Sequence, residues 1–156
     1  MYTPPPLAEL YEPERKYRFT ELDPRVGEVT IKQAFSDGIG VGAVAWNAGD
    51  ALARYICDDS LAFTSHESLN SWEGLDVVEI GAGVGLVSIV AARKGAKVIS
   101  TDGVQDVVML LEENIQQNSF VNGNCSSLES DGNAFSPKAL FYKWGEEVPI
   151  EIQVGE

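Results

Sequence analysis

The sequence contains little cysteine and little histidine, and its apolar residues form no long uninterrupted run. Two cysteines and one histidine occur in 156 residues. Cys57 and Cys125 are far apart, without the C-x-x-C spacing of redox or zinc motifs, and we expect them to be reduced thiols of a reducing compartment. His66 is expected at the surface. The scarcity of these residues predicts neither a disulfide framework nor a metal site.

No apolar run approaches the length of a membrane span, and residues 1–6 have neither the basic nor the apolar region of a secretory signal. Positive charge is scarce, because 11 Lys and Arg stand against 24 Asp and Glu, for a net charge of −13. An acidic surface repels nucleic acid and anionic lipid, so neither is an expected partner. A basic protein surface suits this charge better, although solubility alone also explains it. We expect the protein in the cytoplasm, with the nucleus as the alternative.

The spacing of apolar residues predicts strands that alternate with helices. Strands are predicted over residues 26–35, 75–80, 97–101 and 139–144, and helices over residues 45–56, 86–94 and 104–118. Residues 1–25, rich in proline, glutamate and arginine, are predicted to be an extended arm, and residues 26–156 one domain. Polar connections are predicted over 59–74 and 119–137. The alternation favours a doubly wound α/β fold with a parallel sheet, preceded by a β-hairpin and helix extension.

Residues 76–86, DVVEIGAGVGL, are the most informative segment. They predict a short strand that contains Glu79, a turn with glycines at 81, 83 and 85, and a helix. The next strand ends in Asp102, so the two strands predict half of a nucleotide-type cofactor site. A dinucleotide site requires G-x-G-x-x-G around a pyrophosphate, but position 86 is Leu. S-adenosylmethionine has no phosphate, and glycines let the backbone approach its amino acid group and adenosine closely.

This glycine turn resembles motif I of class I methyltransferases. Residues 40–49 (GVGAVAWNAG), the asparagines at 114 and 118, and residues 142–145 (YKWG) extend the resemblance to the seven-strand, methyltransferase-like protein-lysine methyltransferases. That family modifies chaperones and translation-associated factors. The resemblance covers about residues 26–145, and three motifs in the correct order are more specific than one.

The resemblance implies a Rossmann-like fold, S-adenosylmethionine as cofactor, and a protein substrate that presents a lysine. The implied cofactor-binding residues are Trp46, Gly81, Ala82, Gly83, Gly85, Asp102 and Trp144. Asp102 would accept the ribose hydroxyls, Trp144 would flank the adenine and Trp46 would line the pocket. The alternative for Trp46 is packing in the core, and that for Trp144 is packing in the core or at the end of the sheet. Glu79 either reaches the cofactor through water or bonds within the turn, and the sequence assigns no catalytic residue.

Several elements of the family are missing from the 156 residues. The family's fourth strand ends in an Asp-x-x-Tyr motif beside the target lysine, and three further strands follow it. Residues 148–154 alternate like a strand but lack that motif, and residues 14–17 resemble it but lie far upstream. Residues 75–80 are apolar on both faces, as in a parallel strand covered by helices, and without the fourth strand they would have an unpaired edge. We therefore expect strands 1–3 of a longer enzyme, poorly soluble when expressed alone. A non-catalytic module with a partial cofactor fold and an NAD-dependent oxidoreductase are the alternatives.

Overall fold

The computed structural model describes residues 10–36, 38–58, 72–119 and 136–153. Cys125, His66, residues 1–9 of the predicted arm and most of the two predicted connections lie outside the described residues. The described elements follow one another as β1 (Glu14–Arg18), β2 (Glu28–Lys32), a 3₁₀ helix (Val41–Ala43), α1 (Asn47–Cys57), β3 (Asp76–Ile80), α2 (Leu86–Arg93), β4 (Lys97–Asp102), α3 (Gln105–Ser119) and β5 (Lys138–Phe141).

The strands form two sheets. β1 and β2 are an antiparallel pair, whereas β3, β4 and β5 form a parallel sheet with β4 in the centre. α2 connects β3 to β4, and α3 follows β4 in the chain before β5. This order confirms the predicted α/β architecture, the first half of a Rossmann-like fold. All three helices lie within two residues of their predicted bounds, while β2 and β5 are shorter than predicted.

The predicted N-terminal arm contains a strand that the sequence analysis missed, because β1 occupies Glu14–Arg18. In β1, Arg15 pairs with Ile31 and Tyr17 with Val29 across the hairpin. Tyr17 is buried and Phe19 fully so. The apolar residues alternate with exposed charged residues in this segment, which is the pattern of a half-buried strand. The high content of charge and proline obscured that pattern.

Residues 148–153 form turns and not the strand that their alternation predicts. The backbone N–H of Ile152 donates to the carbonyl of Pro149, and that of Gln153 donates to the carbonyl of Ile150. Such i to i+3 bonds curl the chain locally. Proline at 149 also removes a donor that an extended ladder would need.

The main core lies between the hairpin and the three helices. Its fully buried side chains include Phe19, Val29, Ile31, Val90 and Leu111. A smaller cluster packs α2 against the inner face of the parallel sheet, where Val77 contacts it. Trp72, which has no predicted role, packs against both clusters.

The opposite face of β3 is open. Val78 is 39% exposed and Ile80 57% exposed, and side chains two residues apart share one face of a strand. The sequence predicted that helices cover both faces of this strand. In the described residues, helices cover one. Each described helix is also too short or too polar to span a membrane.

Two asparagines of α3 complete the outer edge of the hairpin. Asn114 Oδ1 accepts from the backbone N–H of Lys32 at 2.8 Å, and Asn114 Nδ2 donates to the carbonyl of Lys32 at 3.0 Å. Asn118 repeats this pattern on Thr30, at 3.0 and 2.7 Å. Asn114 Nδ2 also donates to the carbonyl of Val84, at 3.0 Å. The hairpin, α3 and the glycine turn are thereby held together.

Candidate functional site

The glycine turn joins the end of β3 to the start of α2. Gly81, Gly83 and Gly85 have φ values of 74, 55 and 86°, a region that L side chains rarely adopt. Gly85 is the N-cap of α2. The predicted turn is therefore present, and its backbone requires glycine at all three alternating positions.

The three glycines face different surroundings. A Cβ on Gly83 would lie 2.8 Å from the carbonyl oxygen of Gly42, and one on Gly85 would overlap the side chain of Leu111. A Cβ on Gly81 would meet only Cζ2 of Trp144, at 3.4 Å. Packing within the protein thus explains Gly83 and Gly85. Gly81 is the one of the three that faces open space beside an aromatic ring.

Ala82 uses both of its backbone polar groups within the protein. Its N–H donates to the carbonyl of Thr101 at 2.8 Å, and its carbonyl accepts from the N–H of Gly85 at 3.0 Å. Its side chain packs against the main core. The N–H of Ala82 is therefore not available to a cofactor.

Asp102, at the end of β4, holds the glycine turn to the start of α3. Its Oδ2 accepts from the backbone N–H of Gly83 and its Oδ1 from that of Val104, both at 3.1 Å. The residue is 9% exposed. A carboxylate oxygen can accept more than one hydrogen bond, so Asp102 retains capacity for hydroxyl donors next to the turn.

Trp46 belongs to the same region through the 3₁₀ helix. Its indole Nε1 donates to the carbonyl of Val41 at 2.9 Å. A Cβ on the neighbouring Gly42 would lie 3.5 Å from Oδ2 of Asp102. The structure thus links Trp46, Gly42, Gly83 and Asp102 in one continuous set of contacts.

Trp46 and Trp144 are both large exposed aromatic residues. Trp46 is 58% exposed and Trp144 is 72% exposed. Packing in the core, the alternative considered for each ring, is therefore excluded. Trp144 lies beside Gly81, and Trp46 lies beside the segment that covers Gly83. Two solvent-facing rings in this arrangement are suited to flank a flat, partly apolar ligand.

Glu79 bonds within the protein. Its Oε2 accepts from the hydroxyl of Ser88 on α2, and Ser88 Oγ in turn accepts from the hydroxyl of Ser100 on β4 at 2.6 Å. Burial raises the pKa of Glu79 above its usual value, although the Ser88 hydrogen bond opposes the rise. The geometry thus places Glu79 in an internal hydroxyl chain with α2 and β4, a role that the sequence did not predict.

Sequence reasoning missed Ser88 and Ser100. Both are buried hydroxyls, Ser88 in α2 (LVSIVAAR) and Ser100 after the apolar residues Val98 and Ile99 of β4 (KVISTD). A small polar residue at a buried position of a helix or strand was the available signal, because such a group requires a partner. Within the described ranges, no group of three His, Cys, Asp or Glu side chains is arranged to hold a metal ion.

The sequence is similar to known proteins over most of its length. Residues 25–151 match a family described as "Lysine methyltransferase". The chain is 31% identical over 140 residues to "Protein N-terminal and lysine N-methyltransferase efm7" of Aspergillus fumigatus, which covers 88% of this chain and 48% of that protein.

Two vertebrate proteins are also similar. "EEF1A lysine methyltransferase 3" of Mus musculus is 34% identical over 95 residues, which are 61% of this chain and 35% of that protein. "Protein N-lysine methyltransferase METTL21A" of Xenopus tropicalis is 36% identical over 91 residues, 58% of this chain and 37% of that protein. The chain therefore spans half or less of the length of these relatives.

Proposed function

The chain belongs to the lysine methyltransferase family, and we propose that its protein transfers a methyl group from S-adenosylmethionine to a lysine side chain of another protein. The observation that carries this proposal is the open side of Gly81. It lies beside the exposed Trp144 ring, and Asp102 is bonded to the same turn. A methyltransferase requires a methyl donor, and this arrangement fits S-adenosylmethionine in shape and chemistry.

Each described side chain would contribute differently to binding. Trp144 would offer a ring face to the adenine, and Asp102 would accept from the ribose hydroxyls. Gly81 would allow close approach of the backbone, and Trp46 would close the pocket on the side of the 3₁₀ helix. Gly83, Gly85 and Ala82 would act indirectly, because their contacts maintain the shape of the turn. When bound, S-adenosylmethionine supplies an electrophilic methyl group on a sulfonium.

Methyl transfer depends mainly on how the protein aligns the methyl donor with the lysine nitrogen. An in-line displacement is fast when donor and nucleophile are held in the correct geometry. The target lysine must arrive without its proton, which desolvation favours. No catalytic residue is assigned among the described residues, and the role proposed for this site is to bind and orient the donor.

The substrate is proposed to be a protein of the translation or chaperone machinery. The name of the mouse relative specifies EEF1A, and translation factors are the first candidates for this protein as well. The net charge of −13 supports a lysine-bearing partner surface. An NAD-dependent oxidoreductase is disfavoured by the family and by Leu86 in place of a third dinucleotide glycine.

The proposal is tested by methyl transfer from radiolabelled S-adenosylmethionine to EEF1A, with the labelled residue identified by mass spectrometry. We expect label on lysine. Asp102→Asn should lower the rate of methyl transfer about tenfold, because it weakens the proposed charge-assisted hydrogen bond to the ribose of S-adenosylmethionine. Asp106→Asn, at an exposed position of α3, is the matched control.

The 156-residue chain and a longer polypeptide that contains it are compared in the same assay. Label only with the longer polypeptide would identify the present chain as a non-catalytic portion of an enzyme. No label on EEF1A or on a chaperone with either polypeptide would contradict the proposed activity.

A further inference from the structure

The peptide groups of Ala45 are held by two side chains that lie outside the candidate site. Ala45 immediately precedes Trp46 and is 6% exposed. Its N–H donates to Oε1 of Gln33 at 2.7 Å, and its carbonyl accepts from Nη1 of Arg15 at 2.9 Å. Ala45 lies outside every helix and strand, so side chains take the place of a regular backbone ladder here.

Gln33 ties Ala45 to the N-terminal segment. It is 7% exposed, and its Nε2 donates to the carbonyls of Leu10 and Glu12 at 3.2 and 2.6 Å. Its own backbone N–H donates to the carbonyl of Pro13 at 2.8 Å. The nitrogen of the Gln33 amide therefore bonds to the segment at residues 10–12, and its oxygen bonds to Ala45. This fixes the distance between that segment and Ala45.

Arg15 holds the other side of the same residue. The side chain points inward from β1 and is 7% exposed. Its guanidinium carbon lies 4.9 Å from the centroid of the Tyr17 ring. A buried guanidinium requires acceptors, and a charged donor makes a stronger hydrogen bond than a neutral one. The carbonyl of Ala45 is thus bound firmly to β1.

The residues just before Ala45 are restrained as well. The backbone N–H of Ala34, next to Gln33, donates to the carbonyl of Ala43 at 3.0 Å. Trp46 then bonds back to Val41 through its indole N–H. The segment from 41 to 46 is therefore attached to the hairpin at Ala43 and Ala45 and closed by Trp46 itself.

We propose that Gln33 and Arg15 are positioning residues for the donor site, which act by fixing Ala45 and so set the place of the Trp46 ring above the glycine turn. This proposal rests on the proposed function, since Trp46 is taken to line the donor pocket. It assigns a role to the hairpin, the part of the chain that precedes the parallel sheet. Donor affinity is then coupled to contacts made by β1.

The test uses the chain labelled with 5-fluorotryptophan, whose three tryptophans give separate ¹⁹F resonances; Trp46→Phe assigns one of them. Arg15→Met is compared with Arg18→Met on the same strand, where the side chain is 82% exposed. Gln33→Asn is a milder second variant, because it keeps the amide but shortens its reach. Arg15→Lys retains a charged donor. S-adenosylhomocysteine affinity is measured by calorimetry in parallel.

We expect Arg15→Met and Gln33→Asn to shift the Trp46 resonance, to leave that of Trp72 in place, and to weaken S-adenosylhomocysteine about tenfold. Arg15→Lys should keep the resonance and the affinity close to those of the wild type, and Arg18→Met should change neither.

The proposal is overturned if Arg15→Met or Gln33→Asn lowers the thermal midpoint but leaves the Trp46 resonance and the affinity as in the wild type. If neither the wild-type chain nor a longer polypeptide that contains it binds S-adenosylhomocysteine, the proposed function is refuted, while the ¹⁹F comparison still decides whether the two residues position Trp46.

Discussion

At the scale of single residues, the three glycines of the turn share positive φ values but face different surroundings. Their spacing after a strand predicted the turn itself. Which glycine faces open space depends on Gly42, Leu111 and Trp144, which come from distant parts of the chain. Periodicity and spacing contain no information on such contacts. The sequence alone therefore did not distinguish Gly81 from the other residues of the turn.

A prediction at this scale concerns the pH dependence of stability through Glu79. Because burial raises its pKa, the folded state binds this proton more tightly than the unfolded chain does. The contribution of Glu79 to stability is therefore largest below its ordinary pKa and is lost as pH rises through the folded value. Relative to Glu79→Gln, the wild type should become less stable as pH rises above the ordinary glutamate pKa of 4.5.

Urea unfolding of both proteins as a function of pH measures the difference. Glu112→Gln, which changes an exposed glutamate of α3, controls for the change in net charge. If the stability of the wild type relative to Glu79→Gln stays constant or rises with pH, Glu79 is not held in the buried hydroxyl chain.

At the scale of elements, the sequence predicted the three helices and the parallel strands well, and missed β1. Helical spacing and apolar runs are local signals, so those elements could be assigned without tertiary information. The sequence could not predict that β1 pairs with β2, or that Asn114 and Asn118 bond to β2. These contacts join residues that lie up to 88 positions apart. The two asparagines stand on the buried stripe of α3, where an apolar residue would be usual.

Asn114 provides the prediction at this scale. Asn114→Leu removes three hydrogen bonds and leaves backbone groups of Lys32 and Val84 without this partner. We expect a loss of about 3 kcal/mol in the free energy of unfolding, since buried unsatisfied groups are costly. Gln116→Leu, the same type of change at an exposed position of α3, should change it by less than about 0.5 kcal/mol.

Denaturant titration gives both values. Equal effects of the two substitutions would show that the asparagine contacts do not stabilise the junction of α3 with the hairpin. A change in slope rather than in midpoint for Asn114→Leu would instead indicate that the unfolding transition itself has changed.

At the scale of the whole molecule, β3 has an unpaired edge and an open outer face within the described residues. Within the described residues, β3 pairs with β4 on one side and with no strand on the other. Val78 and Ile80 are exposed on its outer face. The pattern of the strand was correctly assigned as one with two apolar faces. What covers the second face depends on elements that the described residues do not include.

We expect the 156-residue polypeptide to self-associate through this edge and face, since an unpaired apolar strand favours aggregation. Val78→Thr combined with Ile80→Thr should shift the population towards monomer in analytical ultracentrifugation. Val104→Thr, which changes an exposed apolar residue outside the sheet, should not. A monodisperse wild-type monomer with a cooperative thermal transition would contradict this expectation.

The methyl-donor site at Gly81 is tested most directly by calorimetry with S-adenosylhomocysteine. The affinity of Gly81→Ala is compared with that of Gly74→Ala. The two glycines have φ values of 74 and 75°, and an added Cβ has room at each. Both substitutions should therefore cost a similar 1–2 kcal/mol or so of stability. Gly81→Ala should weaken S-adenosylhomocysteine at least about tenfold in calorimetry, Gly74→Ala should bind as the wild type does, and NAD should bind to none of them. Equal affinity of all three proteins for S-adenosylhomocysteine, or binding of NAD in its place, would contradict a methyl-donor site at Gly81.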